Sequence, residues 1–279
     1  MKISVVIPLF NKEEVILDAL NSVLIQDYND FEIIVVNDGS TDNSVGKIHE
    51  INSDKIFLFT KSNGGPASAR NYGVKHSNGD WIIFLDADDF LEPCALSHFS
   101  HLIKTNPKYS FFCCNYYLYD GKQKFLYSSD YKKGAVCNNF LAWNAQTLMP
   151  RAGAAIFKKS LLLKFPLNES LRRYEDAESL FNIMRHVKCY RDPVPVMSYN
   201  VSTLAASAPR KDISEDFIGH LSIKGKSVME QYAIYKLYLQ GLQIYPSDMV
   251  RLYGNHMFNH ILFKVIGIIV HMLKILKLS

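Results

Sequence analysis

Trp81-Ile82-Ile83-Phe84-Leu85-Asp86-Ala87-Asp88-Asp89 runs from an apolar segment straight into three acids. The apolar part has the length of a buried strand. Carboxylates gathered at a strand end repel one another and lose hydration, so stability alone does not explain them. A divalent cation resolves the conflict. Mg2+ and Mn2+ are hard ions that take oxygen ligands and share their sites with substrate phosphates. Open α/β sheets hold ligands at the carboxyl ends of their strands. The stretch therefore predicts a metal–diphosphate site at the carboxyl edge of a sheet. Taken alone, the tetrad also fits an Asp-rich turn that caps a helix opening near Pro93.

Working outward, β-branched apolar runs recur at 3–7, 31–36 and 56–59, and helical spacing fills 15–25, about 44–51 and 67–75. This alternation predicts an α/β fold, a mainly parallel sheet with helices on both faces. Hydrophobicity is continuous along these strands, which requires both faces to be buried. Residues 109–136 are rich in Tyr and Phe and contain the hairpin-type pair Asp120-Gly121. A strand at 154–157, a helix at 176–187, a strand at 194–199 and mostly helix after Asp212 complete the pattern. The expected division is a catalytic domain over 1–211, with a nucleotide-sugar half at 1–108 and an acceptor half at 109–211, and a helical region over 212–279.

The 279 residues, 48% hydrophobic, suffice for one large α/β domain with an appendage. A net charge of +4, without basic residues interleaved with aromatics, argues against a nucleic-acid groove. The five cysteines are odd in number and contain no CxxC pair, which excludes a disulfide framework or zinc site and fits a reducing compartment. The N-terminal apolar run is too short for a signal peptide and reads as the first strand. His98 with His101, and His256 with His260, are spaced for one helix face but lack a third ligand.

Nucleotide-binding signatures narrow the class. No GxGxxG follows the first strand, and no GxxxxGK[ST] occurs. Instead the second strand ends in Val36-Asn37-Asp38-Gly39-Ser40-Thr41-Asp42, where Asp38 can bond a base or ribose or simply form an Asx turn. The third loop, Asn63-Gly64-Gly65-Pro66-Ala67-Ser68-Ala69-Arg70-Asn71, offers close backbone approach and a helix N-terminus. Arg70 is expected to brace Asp38 or Asp86.

In this order and spacing, IPLFN at 7–11, VNDGSTD at 36–42, NGGPASARN at 63–71 and FLDADD at 84–89 strongly resemble the family 2 glycosyltransferases of GT-A fold. Tyr174-Glu175-Asp176 matches the acidic pair that the family carries farther along. The resemblance implies that Pro8, Leu9 and Phe10 line a nucleotide pocket and that Asp38 accepts from the uracil imide. It implies that Asp86 sits near the ribose and the metal shell, and that Asp88 ligates Mn2+ or Mg2+ on the diphosphate. Gly64, Arg70 and Ala87 join the nucleotide-sugar site. Asp176 would be the general base, supported by Glu175. One base and one attack give inversion at the anomeric carbon. Without the resemblance, Glu175-Asp176 reads more readily as an acidic first helical turn.

The acid pair favours a hydroxyl acceptor over a lipid phosphate, which is already an anion. The expected activity is transfer of one sugar from a UDP-sugar to a lipid-linked oligosaccharide of a bacterial surface polysaccharide, O-antigen or capsule. A sugar-nucleotide pyrophosphorylase is the alternative enzyme, but such enzymes carry a Gly-rich loop with Arg where this chain has Leu9-Phe10-Asn11-Lys12. A non-catalytic nucleotide-sugar binding subunit is the other alternative. The Gly/Ala-rich run Arg151–Lys159 departs from the commoner acceptor-side pattern, while Trp143 and the 199–209 segment fit an acceptor platform and lid, or more commonly a packing residue and an ordinary loop.

After Asp248 the chain has no acid, yet keeps Arg251, Lys264, Lys274 and Lys277. His260, Lys264, His271 and Lys274 fall on one helical stripe within a very apolar segment at about 257–278. That pattern predicts a basic amphipathic helix lying in a membrane interface, too short to span. A helix docked on the catalytic domain or on a partner chain is the alternative. The expected location is cytoplasmic, peripheral on the inner face of the cytoplasmic membrane, and a homo-oligomer is compatible with the pattern.

Overall fold

The computed structural model describes residues 1–128, 130–202, 212–253 and 260–275. Strands β1 (Ile3–Leu9), β2 (Phe31–Asn37), β3 (Ile56–Thr60) and β4 (Trp81–Phe84) alternate with helices α1 (Ile16–Leu24), α2 (Ser44–His49) and α3 (Pro66–His76). β1 pairs in parallel with β2 on one side and β4 on the other, and β3 extends the sheet beyond β2. The continuous apolar runs follow from this placement. Val6, Ile34, Val36 and Ile82 enter the core under α3, while Val5, Ile7, Ile33, Val35 and Ile83 enter the core under α1. The chain winds outward from β1 to β3 and then returns to β4, so strand order reverses at β1. The carboxyl ends of β1 and β4 thus form the crevice where such sheets hold ligands.

One acid lies inside this half. Glu32 on β2 is 1% exposed and accepts from Ser4 Oγ at 2.6 Å, from Lys2 Nζ at 2.8 Å and from the Asn78 backbone. Burial works to raise its pKa, but the bonds from Lys2, Ser4 and Asn78 outweigh it and hold the carboxyl at about 2. The pair ties the starts of β1 and β2 to the turn before β4.

The second half is mixed. It contains β5 (Phe90–Leu91), α4 (Ala95–Thr105), β6 (Phe111–Tyr119), β7 (Lys124–Leu126), β8 (Gly134–Ala135), α5 (Asn139–Asn144), β9 (Ala155–Lys158), α6 (Lys159–Lys164), α7 (Glu175–His186) and β10 (Tyr190–Asn200). The sheet order is β3-β2-β1-β4-β9-β6-β10-β5, with β7 on β6 and β8 on β10. β9 lies antiparallel between β4 and β6. Gly153, at φ 84, donates its N–H to Phe84 O and turns the chain onto β9, a conformation that favours glycine. The β6–β7 hairpin turns at Asp120-Gly121, as the sequence predicts. β10 pairs with β6 in parallel but slips register around Pro195, whose missing N–H interrupts the ladder.

Helices α8 (Val228–Ile244), α9 (Pro246–Tyr253) and α10 (His260–Ile275) follow two short 3-10 turns. They share one hydrophobic cluster with α7 and the sheet, through Ile234, Tyr238, Met249 and Phe263. α10 docks on α8 with Phe263, Ile266 and Val270 buried and the Phe263 ring stacked on Tyr235 at 4.8 Å. His260 Nδ1 lies 3.0 Å from Tyr235 Oη, and Lys274 reaches Asp130 at 3.2 Å. The polar stripe thus flanks the docked face. The opposite face is apolar: Ile261, Ile268, Met272 and Ile275 are 54–78% exposed. No helix among the described residues is long and apolar enough to cross a membrane. Positions 257–259 and 276–278 of the expected segment lie outside the described residues.

Candidate functional site

The β4 acids stand at the crevice, and each has a different environment. Asp86 and Asp88 are partly exposed, Ala87 is buried, and Asp89 is 1% exposed. Asp89 Oδ1 accepts the Asn200 N–H at 2.8 Å, tying β10 to the loop, while its Oδ2 has no hydrogen-bond partner among the described residues. Burial, reinforced by the charge of Asp86, pushes the Asp89 carboxyl well above the usual carboxylate range.

Pro8 and Leu9 end β1 beside these acids and Phe10 follows the strand, Leu9 buried and Phe10 open to solvent. Asn11 takes a left-handed conformation at φ 50, and its Oδ1 accepts the Thr41 N–H at 2.8 Å. The Lys12 N–H donates to Ser44 Oγ at 2.8 Å. This locked turn carries the Lys12 ammonium to within 2.6 Å of Asp88 Oδ2. Sequence reasoning missed Lys12; its only signal was a cation directly after the IPLFN motif.

Asp38 at the tip of β2 is buried, and three partners take its carboxylate. Lys61 Nζ lies at 2.7 Å, the Gly64 N–H at 2.9 Å and the Gly65 N–H at 2.7 Å. Gly65 needs φ 86 to present that N–H and then starts α3 ahead of Pro66. Asp38 therefore shapes the glycine loop.

Arg70 lies on the second turn of α3 and is buried. Its Nη2 reaches Asp86 Oδ1 at 2.7 Å and its Nη1 reaches Glu175 Oε1 at 2.6 Å. Of the two partners expected for it, Asp86 is the one it holds. Burial opposes the guanidinium charge, but Asp86, Glu175 and Asp176 outweigh it and raise its pKa. Glu175 is itself pushed up, by burial first and by Asp176 in addition, against the pull of Arg70. α7 begins after Tyr174, which is left-handed at φ 52. This turns Glu175 inward to Arg70 and leaves Asp176 exposed.

Arg151 is the second cation missed from sequence. Its guanidinium lies 3.9 Å from the centroid of the Tyr199 ring, and its Nε donates to Tyr116 Oη at 3.3 Å. Between Arg70, Arg151 and Asp176 opens a cavity of about 380 Å3, lined also by Trp143, Tyr174 and Leu237. Trp143 reaches the cavity and packs edge-on against Phe181, while 203–209 of the expected lid lie outside the described residues. His98 is accounted for by Asp192, 3.1 Å away.

No group of three or more His, Cys, Asp or Glu side chains converges on a possible metal position among the described residues. The donor set at Asp86 and Asp88 nevertheless fits a Mg2+ or Mn2+ shared with phosphates, because such ions use one or two carboxylates and complete their shells from substrate and water. The Lys12 ammonium on Asp88 shows that a positive charge is accommodated there.

The family model for glycosyl transferase family 2 matches residues 4–164. An uncharacterized glycosyltransferase of Rickettsia typhi is 39% identical over 126 residues, 45% of this chain and 39% of the relative. One from Haemophilus influenzae is 40% identical over 118 residues, 39% of this chain and 47% of the relative. The matched stretch thus spans less than half of these relatives. Staphylococcus aureus TarS 1-349 in complex with UDP-GlcNAc superposes with TM-score 0.70 at 19% identity, covering 98% of this chain and 81% of that one. The mannosyltransferase PcManGT of Pyrobaculum calidifontis, in complex with GDP-Man and Mn2+, gives 0.56 at 15% identity, over 99% and 73%. The shared fold is GT-A, with a helical C-terminal region.

Proposed function

The chain belongs to glycosyl transferase family 2, and from that premise we propose that it transfers one sugar from a UDP-sugar to a hydroxyl of a lipid-linked glycan, with inversion. The product would be a bacterial surface polysaccharide, O-antigen or capsule. The observation that carries this reading is the buried guanidinium of Arg70, which joins the strand-end acid Asp86 to the helix-start pair at Glu175. Donor-side and acceptor-side acids are thereby held in one frame, as in-line displacement requires.

In this reading Pro8, Leu9, Phe10, Asp38, Gly64, Arg70, Asp86 and Ala87 form the nucleotide-sugar pocket, with Asp38 fixing the loop against the base. Asp88 would hold Mn2+ or Mg2+ beside Asp86. The ion, when bound, neutralises charge developing on the departing diphosphate. Asp176, exposed beside the cavity, takes the proton of the attacking hydroxyl. Glu175, ion-paired to Arg70, positions Asp176 rather than touching the acceptor. Complexes of TarS with UDP and UDP-GlcNAc, and of the mannosyltransferase with Mn2+, favour a UDP donor and a divalent ion. A catalytic unit over 1–211 and a helical unit over 212–279 remain the division proposed. The apolar outward face of α10, rimmed by Lys264, supports peripheral attachment to the inner face of the cytoplasmic membrane.

The test is UDP release from a panel of UDP-sugars with and without Mn2+, comparing the natural chain with Asp88→Ala. Slow metal-dependent hydrolysis of one donor, lost in the variant, is expected. Absence of both turnover and metal-dependent UDP binding would overturn the assignment.

A further inference from the structure

The cavity beside Asp176 has a lining that sugar hydroxyls do not explain. Its walls are Phe84 and Phe157 of the sheet, Trp143 of α5, Leu180 and Ile183 of α7 and Leu237 of α8. Ala152, Ala155 and Ala177 also line it, and these small side chains are what leave the space open. The Gly/Ala-rich run after Arg151 thus has a structural consequence. The polar side chains of the lining, Arg70, Arg151, Tyr174, Asp176, Ser179 and Gln240, are a minority, and most are engaged: Arg70 holds Asp86 and Glu175, Arg151 lies on the Tyr199 ring and donates to Tyr116 Oη, and Tyr174 Oη accepts from Gln240 Nε2 at 2.7 Å. A hexose buried here would leave hydroxyls without partners, which hydrocarbon walls penalise. At about 380 Å3 the space falls within the range of small-molecule pockets. Asp176 and Gln240 are exposed, so the cavity opens to solvent on the side of the proposed base.

We propose that this cavity takes an alkyl or aryl aglycone of the acceptor, seated so that the sugar attached directly to it presents its hydroxyl at Asp176. The inference rests on Asp176 being the base, and it deepens that reading: the acceptor sugar is the one next to its apolar anchor, and the transfer follows directly on the reaction that attached that sugar.

The test titrates methyl β-glucoside and hexyl β-glucoside into the full chain, by calorimetry and by the fluorescence of Trp143. Each buried methylene multiplies affinity about three- to fourfold, so hexyl glucoside should bind at least about 50-fold more tightly. Two filling variants from opposite walls, Ala155→Leu and Ser179→Leu, should cut that preference to below about threefold. Circular dichroism and Tm identify the variant that keeps its fold. Equal binding of the two glucosides overturns the proposal, as does a hexyl preference that survives filling, which would locate the alkyl chain elsewhere. UDP release is measured on the same samples. Release without a hexyl preference refutes the cavity alone, whereas a hexyl preference with neither UDP release from the UDP-sugar panel nor metal-dependent UDP binding refutes the enzyme reading and with it the placement at a base.

Discussion

Arg70 donates to Glu175 Oε1 at 2.6 Å while its other terminal nitrogen holds Asp86 Oδ1 at 2.7 Å. The two acids come from opposite halves of the chain, one from the end of β4 and one from the first turn of α7. A planar guanidinium can serve both because its donors diverge in a fixed fork, and it stays charged when buried. The geometry of the site therefore depends on one side chain that both acids share.

Replacing Arg70 by Ala should destabilise the chain by about 3–5 kcal/mol, because Glu175 is left buried without its partner. Arg70→Lys keeps a charge but cannot reach both acids, so it should retain most of the stability and lose at least about tenfold in donor turnover. Urea unfolding and UDP release, measured together, separate these effects. A lysine variant with full turnover would show that the fork is dispensable.

Asp88 and Lys12 make an opposed pair of tests. Asp88→Asn should abolish Mn2+-dependent UDP binding. Lys12→Met removes an ammonium 2.6 Å from Asp88 Oδ2 and should strengthen Mn2+ binding in the absence of nucleotide by about fivefold, the size of a partly exposed ion pair. Mn2+ titration followed by electron spin resonance checks both. Unchanged Mn2+ affinity in the lysine variant would mean that Lys12 and the ion do not share Asp88.

The parallel half of the fold was legible because burial on both faces writes itself as continuous β-branched runs, and because strand-end loops carry their function in short ordered motifs. The choice of partners for Arg70 was legible as far as Asp38 or Asp86, and the fold decides for Asp86. Lys12 and Arg151 were not, since their roles depend on contacts between segments far apart in sequence and on the left-handed turn at Asn11. β5 is too short to show a period, and α6 begins immediately after β9, so neither leaves a boundary to read. In α10 the stripe of His260, Lys264, His271 and Lys274 was read correctly as a pattern, but sequence alone could not show that the stripe borders a docked face formed by Phe263, Ile266 and Val270.

Asp176 is exposed and Glu175 is buried, and their substitutions should differ accordingly. Asp176→Asn should cut transfer to an acceptor by about 10²–10⁴-fold with UDP affinity unchanged. Glu175→Gln should lower stability and turnover together, since it weakens the hold of Arg70. Equal transfer by Asp176→Asn and the natural chain would remove it as the base.

Glu32 gives a pH signature separate from the site. Its folded pKa of about 2 lies below the ordinary value of 4.5, so the stabilisation is complete above 4.5 and is lost as the pH falls from 4.5 toward 2. Linkage puts the contribution at about 3 kcal/mol. Glu32→Gln should therefore destabilise the chain near neutral pH and flatten its acid limb, as read by Tm across that range. An acid limb identical in the variant would assign the loss to other carboxylates.

The outward face of α10 sets the last test. Deleting the helix would uncover Tyr232 and Tyr235 on α8, so its loss confuses folding with attachment. Ile261→Gln with Ile268→Gln alters only side chains 78% and 62% exposed and leaves Phe263, Ile266 and Val270 docked. Burying two such side chains in an interface is worth about 3 kcal/mol or more in total, so binding to vesicles containing anionic lipid should fall by at least about 100-fold. Tm and UDP release should stay as they are. Sedimentation with vesicles measures the first and rules on the membrane reading. Undiminished vesicle binding would mean that attachment, if any, lies elsewhere on the chain, and a fall in oligomer size instead would identify the face as a contact between copies.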